Sequence, residues 1–297
     1  MAKKYFIWGL GLLGTSLALA LKKNGHSVSG TVRSEKSQKI LNDLGFADVF
    51  LTKDSSFWEV LKSSDGIIIG TPVEQVFEII ELIKDQALPK HVWITDMAST
   101  KTDLMTYIDK QIDPLLFIGS HPMAGSDLTG PSNAKLDLFE KATIYVTPSE
   151  NMAKLLDEQT YNQAVEDIKA MWQEVGAYPF QVSYQDHDKW AAYLSHGLHL
   201  VSCMVSHMLN DIPEVYDVPT TPAGGSFRDI TRVAGSNPDL WAGIIDSNHK
   251  EVKNYLKGLE LLIKDWIFAL EKGVLPIAEI FEQSAEIRQK IIDPRKT

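Results

Sequence analysis

Tyr5-Phe6-Ile7-Trp8-Gly9-Leu10-Gly11-Leu12-Leu13-Gly14 runs from an apolar, strand-like stretch directly into glycines spaced G-x-G-x-x-G. A helix-compatible segment, Thr15 to Lys23, follows and stops at Asn24-Gly25. Strand, spaced glycines and helix in that order are the signature of a dinucleotide-binding unit. Gly9 permits the tight turn, Gly11 lets the backbone approach a pyrophosphate, and Gly14 lets helix and strand pack closely. Leu12 and Leu13 then lie at the amide-rich helix N-terminus, where the pyrophosphate would sit. Glycines of an ordinary turn satisfy the same dihedral demand, but here all three elements agree.

The next strand, His26-Ser27-Val28-Ser29-Gly30, leads to the position that reads the adenosine ribose. An NAD site usually carries Asp or Glu there to bond the 2′-hydroxyl. This chain has Thr31-Val32-Arg33-Ser34 instead. Arg33 offers a fork of donors suited to a phosphate, and Thr31 and Ser34 add hydroxyls, so NADP is the expected cofactor. NAD stays open, with Arg33 as a solvated surface residue and Glu35 turned back to the ribose. Asp65-Gly66-Ile67-Ile68-Ile69-Gly70-Thr71-Pro72 reads as a buried strand emptying into a second ligand loop, which places Thr71 and Pro72 beside the cofactor.

At 297 residues with 44% hydrophobic content, the chain can hold two domains and a sizeable core. Its net charge of −10, without a dense basic block, argues against nucleic acid as the main partner. The single cysteine, Cys203, sits in apolar helical text and reads as a small core residue. No Cys/His cluster resembles a zinc site, and no metal is expected. No uncharged run reaches membrane-spanning length, and Met1-Ala2-Lys3-Lys4 leads straight into the first strand without a cleavable leader. A cytoplasmic protein without a membrane partner is expected.

Two textures divide the chain. Through residue 182, short apolar strands alternate with helical patterns: Phe6–Trp8, Val28–Gly30, Gly66–Ile69, Val92–Thr95, Leu116–Ile118, Ile144–Val146 and Tyr178–Val182. The first five are spaced for parallel pairing through crossovers. Beyond, Asp188 to Leu209, Asn237 to Leu270 and Pro276 to Ile291 read as long apolar-rich helices. The expected fold is therefore α/β, with a Rossmann-type dinucleotide-binding domain (1–182) followed by an all-helical substrate and dimerisation domain (183–297). Long apolar helices seldom cover themselves, so a homodimer through this domain is expected; a self-contained helix bundle is the competing reading.

Candidate chemistry gathers in four clusters. Asp96-Met97-Ala98-Ser99-Thr100-Lys101 and Gly119-Ser120-His121-Pro122-Met123-Ala124-Gly125-Ser126-Asp127 follow the fourth and fifth strand candidates, both read as loops opening into one cleft. The ordinary pKa of His121 lies near neutrality, which suits removal of a hydroxyl proton during hydride transfer, with Ser99 aligning the same hydroxyl. A third cluster comprises Gln185-Asp186-His187-Asp188 and Ser195-His196-Gly197-Leu198-His199. If helical, His196 and His199 share a face; hydrogen bonding or packing suits them better than metal. In the fourth, Gly224-Gly225-Ser226-Phe227-Arg228-Asp229-Ile230-Thr231-Arg232, two arginines four apart can clamp a carboxylate, unless Asp229 neutralises one. Trp241 either walls the pocket or belongs to the core.

Together these blocks resemble the prephenate/arogenate dehydrogenase family of tyrosine biosynthesis. The matching text is Gly9 to Gly14, Asp96-x-x-Ser99-x-Lys101, His121 to Asp127, Leu138-Phe139 before Thr147-Pro148, His187-Asp188, Ser195-His196-x-x-His199 and Gly224 to Arg232. Ser236-x-Pro238-x-x-Trp241 and Asn248 extend it, so the resemblance runs from about residue 4 to about 285.

The resemblance implies oxidative decarboxylation of a cyclohexadienyl carboxylate, prephenate to 4-hydroxyphenylpyruvate or arogenate to tyrosine. It implies that His121 deprotonates the ring C4 hydroxyl with Ser99 as its partner, and that Arg232 holds the substrate carboxylate. His196, His199, Ser126 and Asp127 are implied to order substrate or gate the cleft, with Trp241 lining the region and Arg228 either touching substrate or holding an ionic gate. The family's usual acid after the second strand is absent at Thr31. The short stretch after position 285 leads us to expect no appended regulatory domain, so that any tyrosine feedback would act at the active site. Two rivals stand: another hydroxyacid dehydrogenase with a helical second domain, and a non-catalytic nucleotide-binding redox sensor. The first would usually present a lysine on the long helix, and the second leaves Ser99, His121 and Arg232 without a joint purpose.

Overall fold

The computed structural model describes residues 1–111, 114–125 and 128–292. A parallel sheet of five strands, β1 (Lys4–Trp8), β2 (Ser27–Val32), β3 (Val49–Leu51), β4 (Gly66–Ile69) and β5 (Trp93–Asp96), is ordered β3-β2-β1-β4-β5. Tyr5, Phe6, Ile7, Ile67, Ile68, Ile69 and Ile94 are buried, as near-continuous apolar strands must be when helices cover both faces. The strand order reverses between β1 and β4, and at such a switch point the carboxyl ends of the strands leave a crevice for ligands. Helix Leu12–Lys23 follows β1 and ends where Gly25 takes φ +86°.

A second sheet contains β6 (Gly119–Pro122), β7 (Thr143–Thr147) and β8 (Tyr178–Gln181), with β6 antiparallel and β8 parallel to β7. This corrects the sequence-based expectation at Leu116–Ile118. Phe117 makes only a parallel bridge to Ile94, and the strand proper comes afterwards, so His121 lies on a strand and not in a loop. Gly-Ser-His-Pro lacks an apolar pattern, yet the strand is buried because its polar groups find partners: the Ser120 amide donates to Asp96 (3.1 Å) and the Ser120 hydroxyl pairs with Thr95 (2.7 Å). Strand β3, three residues long, was not expected from the sequence.

From Tyr184 onward every described element is helical. The stretch expected as one helix from Asp188 to Leu209 is a helix Tyr184–Ala191, a π-helical turn Ala192–His196 and a helix Gly197–His207. Two compact units divide at Val252 and Lys253, and the helices from 184 to 252 belong to the same unit as the two sheets. Asn248 donates to the Asp188 carbonyl (2.8 Å), and Thr100 donates to the Ser247 hydroxyl (3.0 Å).

The second unit holds most of helix His249–Glu271 and helix Ile277–Ile292. Gly273, at φ +67°, ends the first of these, and the Val274 amide donates to the Ala269 carbonyl (3.0 Å), the bond of a Schellman stop. Leu261, Trp266, Ile267, Phe268, Phe281 and Ile287 are exposed on this unit. Among the described residues no helix is long and apolar enough to cross a membrane.

Candidate active site

The glycine turn after β1 is built for close approach. Gly9 has φ +103°, and a Cβ on Gly14 would lie 2.2 Å from the Gly9 carbonyl oxygen, so the helix seats directly on the turn. A Cβ on Gly11 would meet nothing within 4 Å, so its backbone borders open space. The helix opening at Leu12-Leu13-Gly14 has no side-chain cap and no acidic residue in its first turn, which leaves amides available to an anion. Thr31 and Thr71, at the ends of β2 and β4, are flanking residues whose buried hydroxyl oxygens lack a partner among the described residues. These features fit a dinucleotide.

Around the ribose position the three residues separate. Arg33 is exposed, whereas Thr31 is fully buried. The Ser34 hydroxyl caps helix Glu35–Asp43, accepting from the Ser37 amide (3.2 Å) and bonding the Ser37 hydroxyl (3.0 Å). Of the donors expected from sequence to meet a 2′-phosphate, Thr31 is buried, Ser34 is exposed but engaged as a helix cap, and Arg33 is exposed without an ion-pair partner among the described residues. Pro72 is exposed beside Thr71 at the start of helix Val73–Lys84.

The other end of the site is a line of buried polar groups. His121 Nδ1 lies 2.8 Å from His187 Nε2, and His187 Nδ1 lies 2.7 Å from Asp188 Oδ1. Asp188 also accepts from the backbone amides of Lys101 (2.8 Å) and Thr102 (2.7 Å), the opening donors of helix Thr102–Asp109. Lys101 and Asp96 form an ion pair with both side chains fully buried. Asp96 further accepts from the Ala98 amide (2.9 Å), which shapes the turn carrying Ser99. Ser99 is half-buried and makes no hydrogen bond among the described residues; the neighbour held by His121 is His187.

The π-helical turn ends at His196, and the next helix brings His199 up beside it. His196 Nδ1 bonds the Asn248 amide (3.0 Å), and its ring stands 6.0 Å from that of Trp241. His199 stacks on Trp241 at 3.4 Å and bonds the Ser195 carbonyl (3.0 Å). The shared face expected of the two histidines is therefore a wall made with Trp241. Helix Pro238–Ser247, which carries Trp241, lies so close to Glu74 that a Cβ on Gly243 would fall 1.9 Å from its carboxylate. Arg228 and Arg232 are exposed, on helix Gly225–Thr231 and just beyond it, and neither forms an ion pair among the described residues. The charge of Arg232 reaches His199. Ser126 and Asp127 lie outside the described residues.

Burial dominates the titration of these rings. His121 is held well below its ordinary value by burial, with His187, Lys101 and His196 adding to the shift. Burial lowers His187 despite the opposing pull of Asp188, and pushes His196 down from 6.5 to about 4. The expected base, His121, and its neighbours His187 and His196 are therefore neutral at neutral pH. The unfolded chain binds a proton at His196 near pH 6.5 that the folded chain refuses until about pH 4. This share of stability is complete above pH 6.5 and lost as pH falls through that window, about 3 kcal/mol from His196 alone. Urea titrations at pH 7 and pH 4.5 check this: the midpoint falls with acid, and an unchanged midpoint counts against a neutral buried cluster.

The sequence alone points to His121, Ser99 and the helical histidines but assigns no role to Asp96, Lys101 or Asn248, and marks His187 and Asp188 only as a polar cluster. The signal available was the His-Asp doublet at the start of an apolar helix. Its partner lies 66 residues away in sequence, beyond the reach of local patterns.

Comparison with known proteins agrees with this architecture. Residues 17–180 match the family described as prephenate dehydrogenase, nucleotide-binding domain, and residues 183–282 match prephenate dehydrogenase, dimerization domain. A prephenate dehydrogenase of Bacillus subtilis (strain 168) is 34% identical over 247 residues, which cover 82% of this chain and 64% of the relative, so the chain spans less than two thirds of that protein. A cyclohexadienyl dehydrogenase of Zymomonas mobilis is 28% identical over 83% of this chain and 81% of its own length. The crystal structure of prephenate dehydrogenase from Aquifex aeolicus shares the fold, with a TM-score of 0.81, 24% identity and coverage of 99% of both chains. The chain belongs to the prephenate/arogenate dehydrogenase family, whose members are NAD(P)-dependent dehydrogenases.

Proposed function

We propose that this chain oxidatively decarboxylates a cyclohexadienyl carboxylate, turning prephenate into 4-hydroxyphenylpyruvate, arogenate into tyrosine, or both. The observation that carries the reading is His121, a buried imidazole kept neutral by its surroundings, in a chain that also holds a dinucleotide turn. Its relatives are named prephenate dehydrogenase and cyclohexadienyl dehydrogenase.

When bound, the nicotinamide supplies a hydride acceptor for the ring C4 carbon. His121 takes the C4 hydroxyl proton, and Ser99 aligns that hydroxyl. The ring carboxylate leaves as carbon dioxide, its bonding electrons pass through the ring to the new C4 oxygen, and that oxygen regains a proton as the phenol. No Schiff base is needed, because the developing carbonyl accepts the electrons; the protein supplies alignment and electrostatic support.

Arg232 pairs with a substrate carboxylate, and Arg228 either assists it or holds a gate. His196, His199 and Trp241 wall the pocket, and Ser126 and Asp127 order the substrate. Gly9, Gly11, Leu12, Leu13, Gly14, Thr71 and Pro72 cradle the dinucleotide, with Thr31, Arg33 and Ser34 around the ribose. NADP is the preferred cofactor on the strength of exposed Arg33, and NAD the alternative. We assign nucleotide binding to residues 1–182 and substrate binding and dimerisation to 183–297. The exposed apolar residues of helices His249–Glu271 and Ile277–Ile292 support a homodimer, which we assign to the cytoplasm.

Steady-state kinetics crossing prephenate and arogenate with NAD and NADP test this reading. Turnover of at least one substrate, faster with NADP, is expected. No reduced nicotinamide in any combination, from folded protein that binds nucleotide, would move the assignment to another dehydrogenase or a sensor.

A further inference from the structure

We propose that His187 and Asp188 are positioning residues that set the tautomer of His121, so that its Nε2 lone pair faces the substrate hydroxyl; this rests on the cyclohexadienyl reading above. The hydrogen bonds allow one neutral proton arrangement. Asp188 accepts from the Lys101 and Thr102 amides and from His187 Nδ1, three donors that hold it as a carboxylate. Facing a carboxylate, His187 Nδ1 must carry the proton, so its Nε2 is a bare acceptor. His121 Nδ1, 2.8 Å away, must then be N–H. A neutral imidazole protonated at Nδ1 has its lone pair at Nε2. The reversed order would turn an unprotonated nitrogen of His187 towards the Asp188 carboxylate.

The line is fixed mechanically as well as electronically. The His121 and His187 rings meet edge to face at 5.0 Å, and Tyr145 on β7 packs on His187 at 5.4 Å. The Asp188 carbonyl is held by Asn248. The titratable and charged groups facing the His121–His187 pair are Asp188 beside His187, Lys101 and Asp96 after and on β5, His196 on the π-helical turn, and Tyr145 on β7. The lowered affinity of His121 and His187 for protons keeps both rings neutral, as this arrangement requires. During turnover His121 becomes cationic when Nε2 takes the hydroxyl proton. His187 Nε2 then accepts a charge-assisted bond, and the proton returns from His121 when the phenol forms.

Two substitutions separate positioning from general structure. In His187→Leu nothing accepts the His121 Nδ1 proton; in His187→Gln the side-chain oxygen can reach the place of Nε2 and accept it. Full-length protein labelled with ¹⁵N-histidine, read through two-bond ring couplings, reports each tautomer directly. The His121 signals are those missing from His121→Asn.

Wild type and His187→Gln are expected to show His121 protonated at Nδ1, and His187→Leu to show it at Nε2. In parallel, kcat should fall about 10- to 100-fold in His187→Leu and recover largely in His187→Gln, with cofactor affinity unchanged. His121 protonated at Nε2 in the wild type overturns the proposal, as does equal loss of kcat in both variants. If His187→Leu fails to fold, the wild-type and His187→Gln spectra still decide. An Nδ1-protonated His121 in a protein that turns over neither cyclohexadienyl substrate would reject the functional reading and leave the tautomer assignment standing.

Discussion

Replacing His121 with asparagine is expected to lower kcat about 10³-fold, within the usual span for loss of a general base, while nucleotide affinity stays as it was. The expectation follows from which atom is lost. Asparagine can still place an amide N–H where His121 Nδ1 meets His187, so the buried line and the fold survive. It has nothing at the place of Nε2 to take a proton. The glycine turn and the loop after β4 form a separate part of the site and keep their geometry. Parallel measurement of kcat and of nucleotide affinity checks the split. Turnover within about tenfold of wild type would sink the general-base assignment, and a matching loss of nucleotide affinity would mean that the substitution had disturbed the fold.

Arg232→Ala should raise the substrate KM about 100-fold and leave the cofactor KM nearly unchanged. A charge-assisted hydrogen bond contributes about 1.5–3 kcal/mol, and each 1.4 kcal/mol is about a factor of ten in binding. Arg232 is exposed and has no ion-pair partner among the described residues, yet its charge reaches His199 in the wall formed with Trp241. An unneutralised guanidinium beside an aromatic wall suits an anionic ring substrate. Arg232→Lys should recover only part of the loss, because a point charge lacks the bidentate fork. Equal rises in both Michaelis constants would count against a substrate-carboxylate role.

The cofactor end of the molecule was legible in the sequence because its physics is local. Gly9, Gly11 and Gly14 answer to dihedral and packing demands within one turn, and the apolar runs at β1 and β4 mark strands buried on both faces. The chemical end was only half legible. His121 stood out by residue type, but the sequence placed it in a loop, since Gly119-Ser120-His121-Pro122 shows no alternation. What makes that segment a strand is the set of partners supplied by Asp96, Thr95 and β7, which lie elsewhere in the chain.

The same holds for His187 and Asp188. Their meaning depends on two amides at the start of a helix 86 and 87 residues earlier and on a ring 66 residues earlier. The π-helical turn at Ala192–His196 sits inside text with ordinary helical periodicity. Such turns are frequent at functional sites, and this one delivers His196 to Asn248.

The measurement that tests the central claim most directly is the stoichiometry of products. Purified protein given prephenate or arogenate with NADP or NAD should release carbon dioxide and reduced nicotinamide one for one, with an aromatic product forming at the same rate. Reduced nicotinamide without carbon dioxide would mean oxidation of a hydroxyl without loss of the ring carboxylate, and would contradict the assignment of this site to oxidative decarboxylation.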